Sequence, residues 1–347
     1  LFRSYLLGWQ SWFNDRYPAR NLLIRLKNQI DYSVFSYSDQ VHIGRNGWMF
    51  YRSVIDVQKP AIERLSPENE DQIIANLTTL NTWLKSRGII LLVMDNELKD
   101  SIYPEELPHS IPSRLSPSFY QNLRKRIATE TDAIYLDASL LLTELKMERP
   151  VFHRTDFHWN DPAAFAASEA IVNRLARIEG HESPAWRWPL EIEESKLSGG
   201  QAAFMPLLNP FSETALFVKK TWPDSPHTYK EKDGPFEFSI VYSDDDPKRL
   251  PGIVVFGDSF FDGMIRSGFM EHFSSIHRAR IFHASIDQVA RELPPSTRFF
   301  LYQFIETYTP SLTLPIDLPE GSPESLVGKA LMSERHRDHV RSFSPSP

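Results

Sequence analysis

The run Gly252-Ile253-Val254-Val255-Phe256-Gly257-Asp258-Ser259-Phe260 decides how this chain is interpreted. Its first part is apolar at successive positions, which is typical of a buried strand in a parallel sheet. Open α/β sheets place their ligand sites at the carboxyl ends of such strands, and the Gly-Asp-Ser turn falls there. Gly257 lets the backbone bend sharply, so Ser259 is a candidate nucleophile. Asp and Ser after a strand are also ordinary helix caps, so the run alone leaves both interpretations open.

Helical and strand patterns alternate on both sides of this run. Ser66-Pro67 begins a helix that ends at Gly88, and an apolar run at 89–94 follows. Further predicted elements are a helix from Ser116-Pro117, a strand at 133–136, a helix from Asp161-Pro162, and strands at 279–282 and 298–304. The alternation predicts a three-layer α/β/α fold with a mainly parallel sheet.

We expect one domain over residues 1–310, with an irregular insertion at about 182–249. In that insertion Trp, Pro, Gly and an acidic run interrupt the short apolar pieces. Residues 311–347 are rich in Pro and Ser, which predicts an extended or disordered tail.

Composition excludes several classes of function. The formal net charge is −7 and no long basic run is present, which disfavours a nucleic acid partner. The chain has no cysteine, so disulfides and thiolate metal sites are excluded, and oxygen and imidazole chemistry remains. No run of about 18 apolar residues occurs, so the sequence contains no obvious membrane span.

A second motif, Arg154-Thr155-Asp156-Phe157-His158-Trp159-Asn160, lies just ahead of the helix that begins near Pro162. In an extended segment residues i and i+2 point to the same side, so Asp156 and His158 are expected to face one cleft. A carboxylate there orients an imidazole and fixes its tautomer. Alone, the pair is equally consistent with a buried, hydrogen-bonded histidine.

Together the two motifs predict a catalytic triad. A serine needs a base at neutral pH, and a histidine oriented by a carboxylate supplies one. We therefore assign Ser259 as nucleophile, His158 as base and Asp156 as the orienting residue. The backbone N–H of Ser259 is the expected oxyanion donor, and the sequence does not identify the second donor.

Three further residues are candidate substrate contacts. Trp159 follows the predicted base and is a candidate for lining the acyl pocket. Lys99 and Tyr103 follow the apolar run 89–94, and both are candidates for facing the cleft. For each of them, packing or an ordinary surface position is the competing interpretation.

Several blocks along the chain, taken in order, carry a family resemblance. They are residues 13–20 (FNDRYPAR), 43–51 (IGRNGWMFY), 99–105 (KDSIYPE), 156–159 (DFHW), 198–200 (SGG) and 257–260 (GDSF). Across nearly all of residues 10–310 the chain resembles the SGNH-hydrolase-like alginate O-acetyltransferases of the AlgJ and AlgX type. Common SGNH hydrolases place the Ser block first, whereas here the Asp-x-His block precedes it. We find no separate carbohydrate-binding domain, so the layout is closer to the single-domain AlgJ-like form.

The resemblance implies a flavodoxin-like SGNH-hydrolase fold with permuted motif order, and triad roles for Asp156, His158 and Ser259. It implies O-acetylation of an exported polysaccharide in the periplasm without a cofactor. A membrane-bound O-acyltransferase is the implied acetyl supplier. An N-terminal anchor ahead of Leu1 is compatible with this expectation.

Three alternatives stay open at this stage. The same covalent chemistry with water as acceptor gives a carbohydrate acetyl esterase. His153, Asp156 and His158 offer the ligand types of some non-haem iron sites, although we expect no metal. A non-catalytic polysaccharide-binding subunit of an export or modification complex would keep the fold without the activity.

Overall fold

A computed structural model of the chain describes residues 19–111, 118–181, 185–244 and 246–319. The α-helices of these residues are α1 (Arg20–Phe35), α2 (Lys59–Ile62), α3 (Pro67–Lys85), α4 (Lys99–Ile102), α5 (Ser118–Glu130), α6 (Ala138–Lys146), α7 (Asp161–Ile178), α8 (Gly200–Ala203), α9 (Phe261–Arg266) and α10 (Ile286–Arg291). Short 3-10 segments lie at Arg45–Gly47, Pro104–Glu106, Phe269–His272 and Glu306–Thr313, and a π-helical turn lies at Val54–Gln58.

The strands are β1 (Val41–Ile43), β2 (Met49–Tyr51), β3 (Ile90–Asn96), β4 (Ile134–Asp137), β5 (Ile192–Leu197), β6 (Glu213–Val218), β7 (His227–Asp233), β8 (Phe236–Tyr242), β9 (Gly252–Gly257), β10 (Ser275–Arg280) and β11 (Thr297–Ile305). Seven of them form a sheet in the order β4-β3-β11-β9-β10-β8-β7. The strands from β4 to β10 in this order are parallel, and β8 and β7 extend the sheet antiparallel.

Alternate side chains of the central strands pack on opposite faces of this sheet. Val255 and Leu301 join one core with the helices α6 and α7, whereas Val254 and Phe300 join a second core with α3, α5 and α10. A sheet covered by helices on both faces is buried on both sides, which explains the continuous apolar runs of its central strands. The fold is the three-layer α/β architecture with a mainly parallel sheet that the sequence predicts.

Two expectations need correction. The strand predicted at 279–282 lies earlier, at Ser275–Arg280. The stretch from 182 to 249 is less irregular than expected, because it contributes β5 to β8, and its β7 and β8 join the main sheet. In β8 the residues Phe236, Phe238, Ile240 and Tyr242 are buried at alternate positions, whereas β7 is mostly exposed. β7 is an edge strand, and its charged residues make its sequence resemble a loop. Charged residues on an edge strand also discourage pairing with other chains.

The beginning of the predicted tail packs on the domain. Carbonyl oxygens of Leu312 and Leu314 accept hydrogen bonds from Asn76 in α3, at 2.8 and 2.9 Å. Residues 320–347 of that tail, the block at 13–18 and the helix start at Ser116-Pro117 lie outside the described residues. Among the helices that are described, none is both long and apolar enough to span a bilayer.

Candidate active site

The side chains of Ser259, His158 and Asp156 form one hydrogen-bonded chain. Ser259 follows the carboxyl end of β9, and its Oγ lies 2.7 Å from Nε2 of His158. Nδ1 of His158 lies 2.7 Å from Oδ1 of Asp156. When the carboxylate accepts the Nδ1–H, Nε2 keeps a lone pair that can take the serine hydroxyl proton. The structure thus brings together the three residues that the sequence predicts as a catalytic triad.

Asp156 and His158 lie in residues 153–158, which we define as the Asp-His loop. Phe152 and Trp159, on either side of this loop, form an isolated β-bridge, and α7 begins two residues after Trp159. The loop is bent at residues 154–158 rather than extended, so the expectation of an extended segment is wrong. Oδ1 of Asp156 also accepts the backbone N–H of His158 at 2.9 Å. Aspartates commonly close such turns on their own backbone two residues on. The Asp-x-His spacing therefore allows the side chain of Asp156 to close a turn on the backbone N–H of His158.

The second carboxylate oxygen of Asp156 contacts the Ser-Gly-Gly block. The backbone N–H of Gly200 donates to Oδ2 at 2.5 Å. Burial raises the pKa of Asp156, but the hydrogen bonds from His158 and Gly200 outweigh it and hold that pKa well below its usual range. A Cβ on Gly199 would lie 2.4 Å from the carbonyl oxygen of Thr155, so glycine permits this close approach. Asp156 is therefore ionised at neutral pH and held on both oxygens.

A buried carboxylate, Glu213 at the start of β6, fixes the amino end of the Asp-His loop. Its Oε2 accepts the backbone N–H of Arg154 at 3.0 Å. Its Oε1 accepts the backbone N–H and the hydroxyl of Thr155, at 2.8 and 2.6 Å. Sequence reasoning missed Glu213, because it lies in the stretch assigned as an irregular insertion. The only signal available was its position at the start of a short apolar run, TALFV at 214–218.

Lys99 lies beneath the same loop and is only 3% exposed. Its ammonium donates to the carbonyl oxygens of His153, Arg154 and Asp156, at 3.3, 3.0 and 2.7 Å. Burial lowers the pKa of Lys99 to about 7, although neighbouring carboxylates raise it. Lys99 was predicted to face the cleft as a substrate contact. The structure places it under the loop instead, where it holds three backbone carbonyls.

Ser259 lies in the serine turn, residues 257–260, which is fixed by the side chain of Asp258. Oδ1 of this buried carboxylate accepts the backbone N–H of Phe260 at 2.8 Å, and Oδ2 accepts that of Ile305 at 2.7 Å. Gln303 donates to Oδ1 at 2.9 Å and accepts the Asp258 N–H at 3.1 Å. A Cβ on Gly257 would lie 2.8 Å from Oε1 of Gln303. The glycine of the Gly-Asp-Ser motif therefore makes room for the side chain that fixes the turn.

Trp159 joins the Asp-His loop to the serine turn. It is 1% exposed, and its Nε1 donates to the carbonyl oxygen of Phe260 at 2.9 Å. The ring of Phe260 lies 5.5 Å from that of Trp159 and 5.2 Å from that of His158. Gly263 permits this packing, since a Cβ there would lie 2.9 Å from Nε1 of Trp159. Trp159 is therefore a buried link between the two motifs and does not line an open acyl pocket.

Tyr103, the remaining predicted substrate contact, is also buried. Its hydroxyl accepts the backbone N–H of Val151 at 2.9 Å, and its ring lies 4.2 Å from that of Trp48. Burial raises the pKa of Tyr103 to about 12. Tyr103 supports the chain just ahead of the Asp-His loop rather than facing the cleft.

The alternative of a metal site finds no geometric support in the described part of the chain. No group of three or more His, Asp or Glu side chains there is arranged to hold a metal ion. Both ring nitrogens of His158 contact triad partners, and the ring of the buried His153 packs 5.9 Å from that of Phe217.

Comparison with known proteins agrees with this fold. Residues 41–260 match the family described as "SGNH hydrolase-like domain, acetyltransferase AlgX", which is well over half of the chain. The chain belongs to this family of SGNH-hydrolase-like acetyltransferase domains. The match begins at β1 and ends with Phe260, so it includes the Asp-His loop, the Ser-Gly-Gly block and the serine turn.

Two curated relatives carry the name "Probable alginate O-acetylase AlgJ". The protein from Pseudomonas aeruginosa is 25% identical over 211 residues, which cover 59% of this chain and 51% of that protein. The protein from Pseudomonas putida is 24% identical over 166 residues, covering 48% of this chain and 42% of that protein. The chain thus spans about half the length of the curated relatives it matches.

Two solved structures share the fold. Bacillus cereus PatB1 superposes with a TM-score of 0.52 at 12% identity, covering 70% of this chain and 90% of that chain. Pseudomonas aeruginosa AlgX superposes with a TM-score of 0.50 at 15% identity, covering 79% and 63%. At these identities the likeness extends to the fold alone.

Proposed function

We propose that this chain is a polysaccharide O-acetyltransferase that carries the acetyl group on Ser259. One observation carries the proposal. Ser259, His158 and Asp156 are linked by two 2.7 Å contacts at the carboxyl edge of the sheet, in a chain that belongs to an acetyltransferase family.

In the first half-reaction Ser259 Oγ attacks the carbonyl carbon of an acetyl donor. Nε2 of His158 takes the hydroxyl proton as the C–O bond forms, and Asp156 stabilises the resulting imidazolium. The acetyl oxygen becomes negative in the tetrahedral intermediate, and the backbone N–H of Ser259 is the donor that we assign to it. The intermediate collapses to acetyl-Ser259 when the leaving group departs with the proton from His158.

In the second half-reaction a sugar hydroxyl replaces the leaving group. Neutral His158 removes the hydroxyl proton, the sugar oxygen attacks the acetyl carbon, and Ser259 regains its proton as the ester bond breaks. His158 is 35% exposed and Ser259 is partly exposed, so the contact between them is open to both donor and acceptor.

The polysaccharide acceptor, the periplasmic location and a membrane-bound O-acyltransferase as acetyl supplier are parts of the same proposal. The polysaccharide acceptor is supported by the names of the curated relatives, both "Probable alginate O-acetylase AlgJ". The chain covers about half of each relative, so we propose the glycan class, an exported alginate-like polysaccharide, without a particular hydroxyl.

Product analysis tests this proposal. The chain is incubated with an activated acetyl ester and an oligosaccharide of the acceptor class, and acetylated sugar and free acetate are both measured. We expect acetylated sugar that depends on Ser259 and His158. Free acetate alone, unchanged by any acceptor, would make the chain an esterase instead. No turnover of any acetyl ester would favour a non-catalytic binding subunit.

A further inference from the structure

Arg278 is a buried cation beneath the serine turn. It lies in β10 beside β9, and none of its side chain is exposed. Its Nη2 donates to the backbone carbonyl oxygen of Asp258 at 2.6 Å. Burying a guanidinium is costly unless it is paired and hydrogen-bonded, so its place here calls for an explanation.

The carbonyl that Arg278 contacts belongs to the peptide group between Asp258 and Ser259. The N–H of that peptide group is the one assigned above to the oxyanion. In a trans peptide the C=O and N–H bonds point in opposite directions, so the Ser259 N–H points away from Arg278. Among the described residues we find no protein acceptor for this N–H. One end of the peptide group therefore contacts a cation, and the other end is available to a ligand.

We propose that Arg278 is a positioning residue that strengthens the oxyanion donor of Ser259 by polarising the Asp258–Ser259 peptide group. A charge-assisted hydrogen bond to the carbonyl oxygen draws electron density from the peptide nitrogen, which makes the N–H a better donor. Hydrogen bonds in series strengthen one another by about 10–30% each in condensed phases. The inference rests on the acetyl-serine mechanism proposed above.

The charges around Arg278 provide a matched control. Arg278 and its neighbour Arg280 both pair with Glu237 and Asp262, so two cations face two carboxylates. The net charge of this group is balanced. Arg278 is fully buried and donates to the Asp258 carbonyl, whereas Arg280 is 23% exposed and donates to Glu237 and Asp262. Nε of Arg278 is buried without a hydrogen-bond partner in the described chain, so full hydrogen bonding of the guanidinium does not account for its position.

The expected loss of acylation rate follows from how much the oxyanion donor of Ser259 is weakened. Losing one oxyanion donor lowers kcat by about 100- to 1000-fold. Losing 10–30% of that donor's contribution, taken on the logarithmic scale, lowers the acylation rate by roughly two- to eight-fold. The acetyl carbonyl of acetyl-Ser259 should also be less polarised, so its stretching band should move to higher wavenumber.

The experiment compares two double variants of equal charge, Arg278→Met/Glu237→Gln and Arg280→Met/Glu237→Gln. Each is acylated by rapid mixing with p-nitrophenyl acetate labelled with ¹³C at the carbonyl, and the isotope-edited infrared band of the acetyl-enzyme is recorded. We expect the higher wavenumber and the slower acylation, with KM unchanged, only in the Arg278 variant. Circular dichroism checks that both are folded. If the Arg278 double variant does not fold, Arg278→Gln/Glu237→Gln replaces it, because a neutral amide keeps a polar side chain at this position and carries no charge to polarise the Asp258 carbonyl.

Two results overturn the inference while leaving the acetyl-serine mechanism in place. One is an Arg278 variant whose acetyl-enzyme band equals that of the wild type. The other is an equal shift in the Arg280 variant, which would assign the effect to general loosening of the charged group. A wild-type protein that forms no acetyl-Ser259 overturns the mechanism and the inference together.

Discussion

Replacing Lys99 with methionine isolates the contribution of the buried ammonium to the active site. Methionine keeps the approximate length of the side chain and fills the same apolar space, but it donates no hydrogen bond. Three carbonyl oxygens of the Asp-His loop then lose their common donor, including that of Asp156, whose contact at 2.7 Å is the shortest of the three.

The expected stability loss is smaller than three hydrogen bonds would suggest. Hydrogen bonds to charged groups contribute about 1.5–3 kcal/mol each, but removing the charge also removes a desolvation cost of several kcal/mol. We expect the free energy of unfolding to fall by about 2–4 kcal/mol. Without their donor the three carbonyls must turn toward water, which displaces Asp156, and a displacement near 1 Å at a catalytic group lowers kcat by about 100-fold.

The assay is the burst of p-nitrophenol from p-nitrophenyl acetate, with kcat and KM measured separately, alongside urea unfolding. Arg249→Met is the control. Arg249 is a buried cation that donates to the Glu271 carbonyl at 2.7 Å and pairs with Asp244, near the amino end of β9 and away from Ser259. The control should lose comparable stability and keep the wild-type kcat. If Lys99→Met were as active as the control, Lys99 would be a packing residue without influence on the triad.

Further predictions concern the triad, the Ser-Gly-Gly block and pH. Ser259→Ala and His158→Ala should each abolish the burst, and the double variant should be no worse than either, because the two act as one unit. Asp156→Ala should retain about 10- to 100-fold more activity than either single variant, measured by steady-state kcat. Gly199→Ala should lower both kcat and the thermal midpoint, because its Cβ would lie 2.4 Å from the Thr155 carbonyl; a wild-type midpoint would show that the loop yields freely. Because burial lowers the pKa of Lys99 from 10.5 to about 7, the unfolded chain binds the extra proton between these values. The free energy of unfolding should therefore fall as pH falls from about 10 to 7, by up to about 1.4 kcal/mol per pH unit, because only the unfolded chain takes up this proton in that range; urea titrations of Lys99→Met should lack this slope.

The central strands were predictable because each is covered on both faces. β3, β9 and β11 each contain at least four consecutive apolar residues, a pattern typical of a strand that is buried on both faces of an α/β sheet. The neighbouring strand β10 was misplaced, because it contains His277 and Arg278, which resemble surface residues. Both are buried, and their partners Ser239 and Glu237 come from β8, about 40 positions away in sequence. A local pattern carries no information about partners at that distance.

The triad residues could be predicted from local sequence, whereas the residues that hold them in place could not. The Asp-x-His spacing and the Gly-Asp-Ser turn are local, so their residue types and positions were visible in the sequence. Lys99 donates to backbone carbonyl groups, and Glu213 accepts from backbone N–H groups, of residues more than fifty positions away. Every residue carries such backbone groups, so the sequence does not indicate which of them a side chain binds. For this reason Lys99 was assigned to the cleft and Glu213 was not identified at all.

Mass spectrometry of the acetyl-enzyme tests the central claim most directly. The chain is mixed with an activated acetyl ester, quenched during the burst and digested. The mechanism predicts a single acetyl adduct on the peptide that contains Ser259, and no adduct in Ser259→Ala, with both proteins folded by circular dichroism. An adduct that persists in Ser259→Ala, or a wild-type chain that turns over the ester with acetyl on another residue, would contradict it.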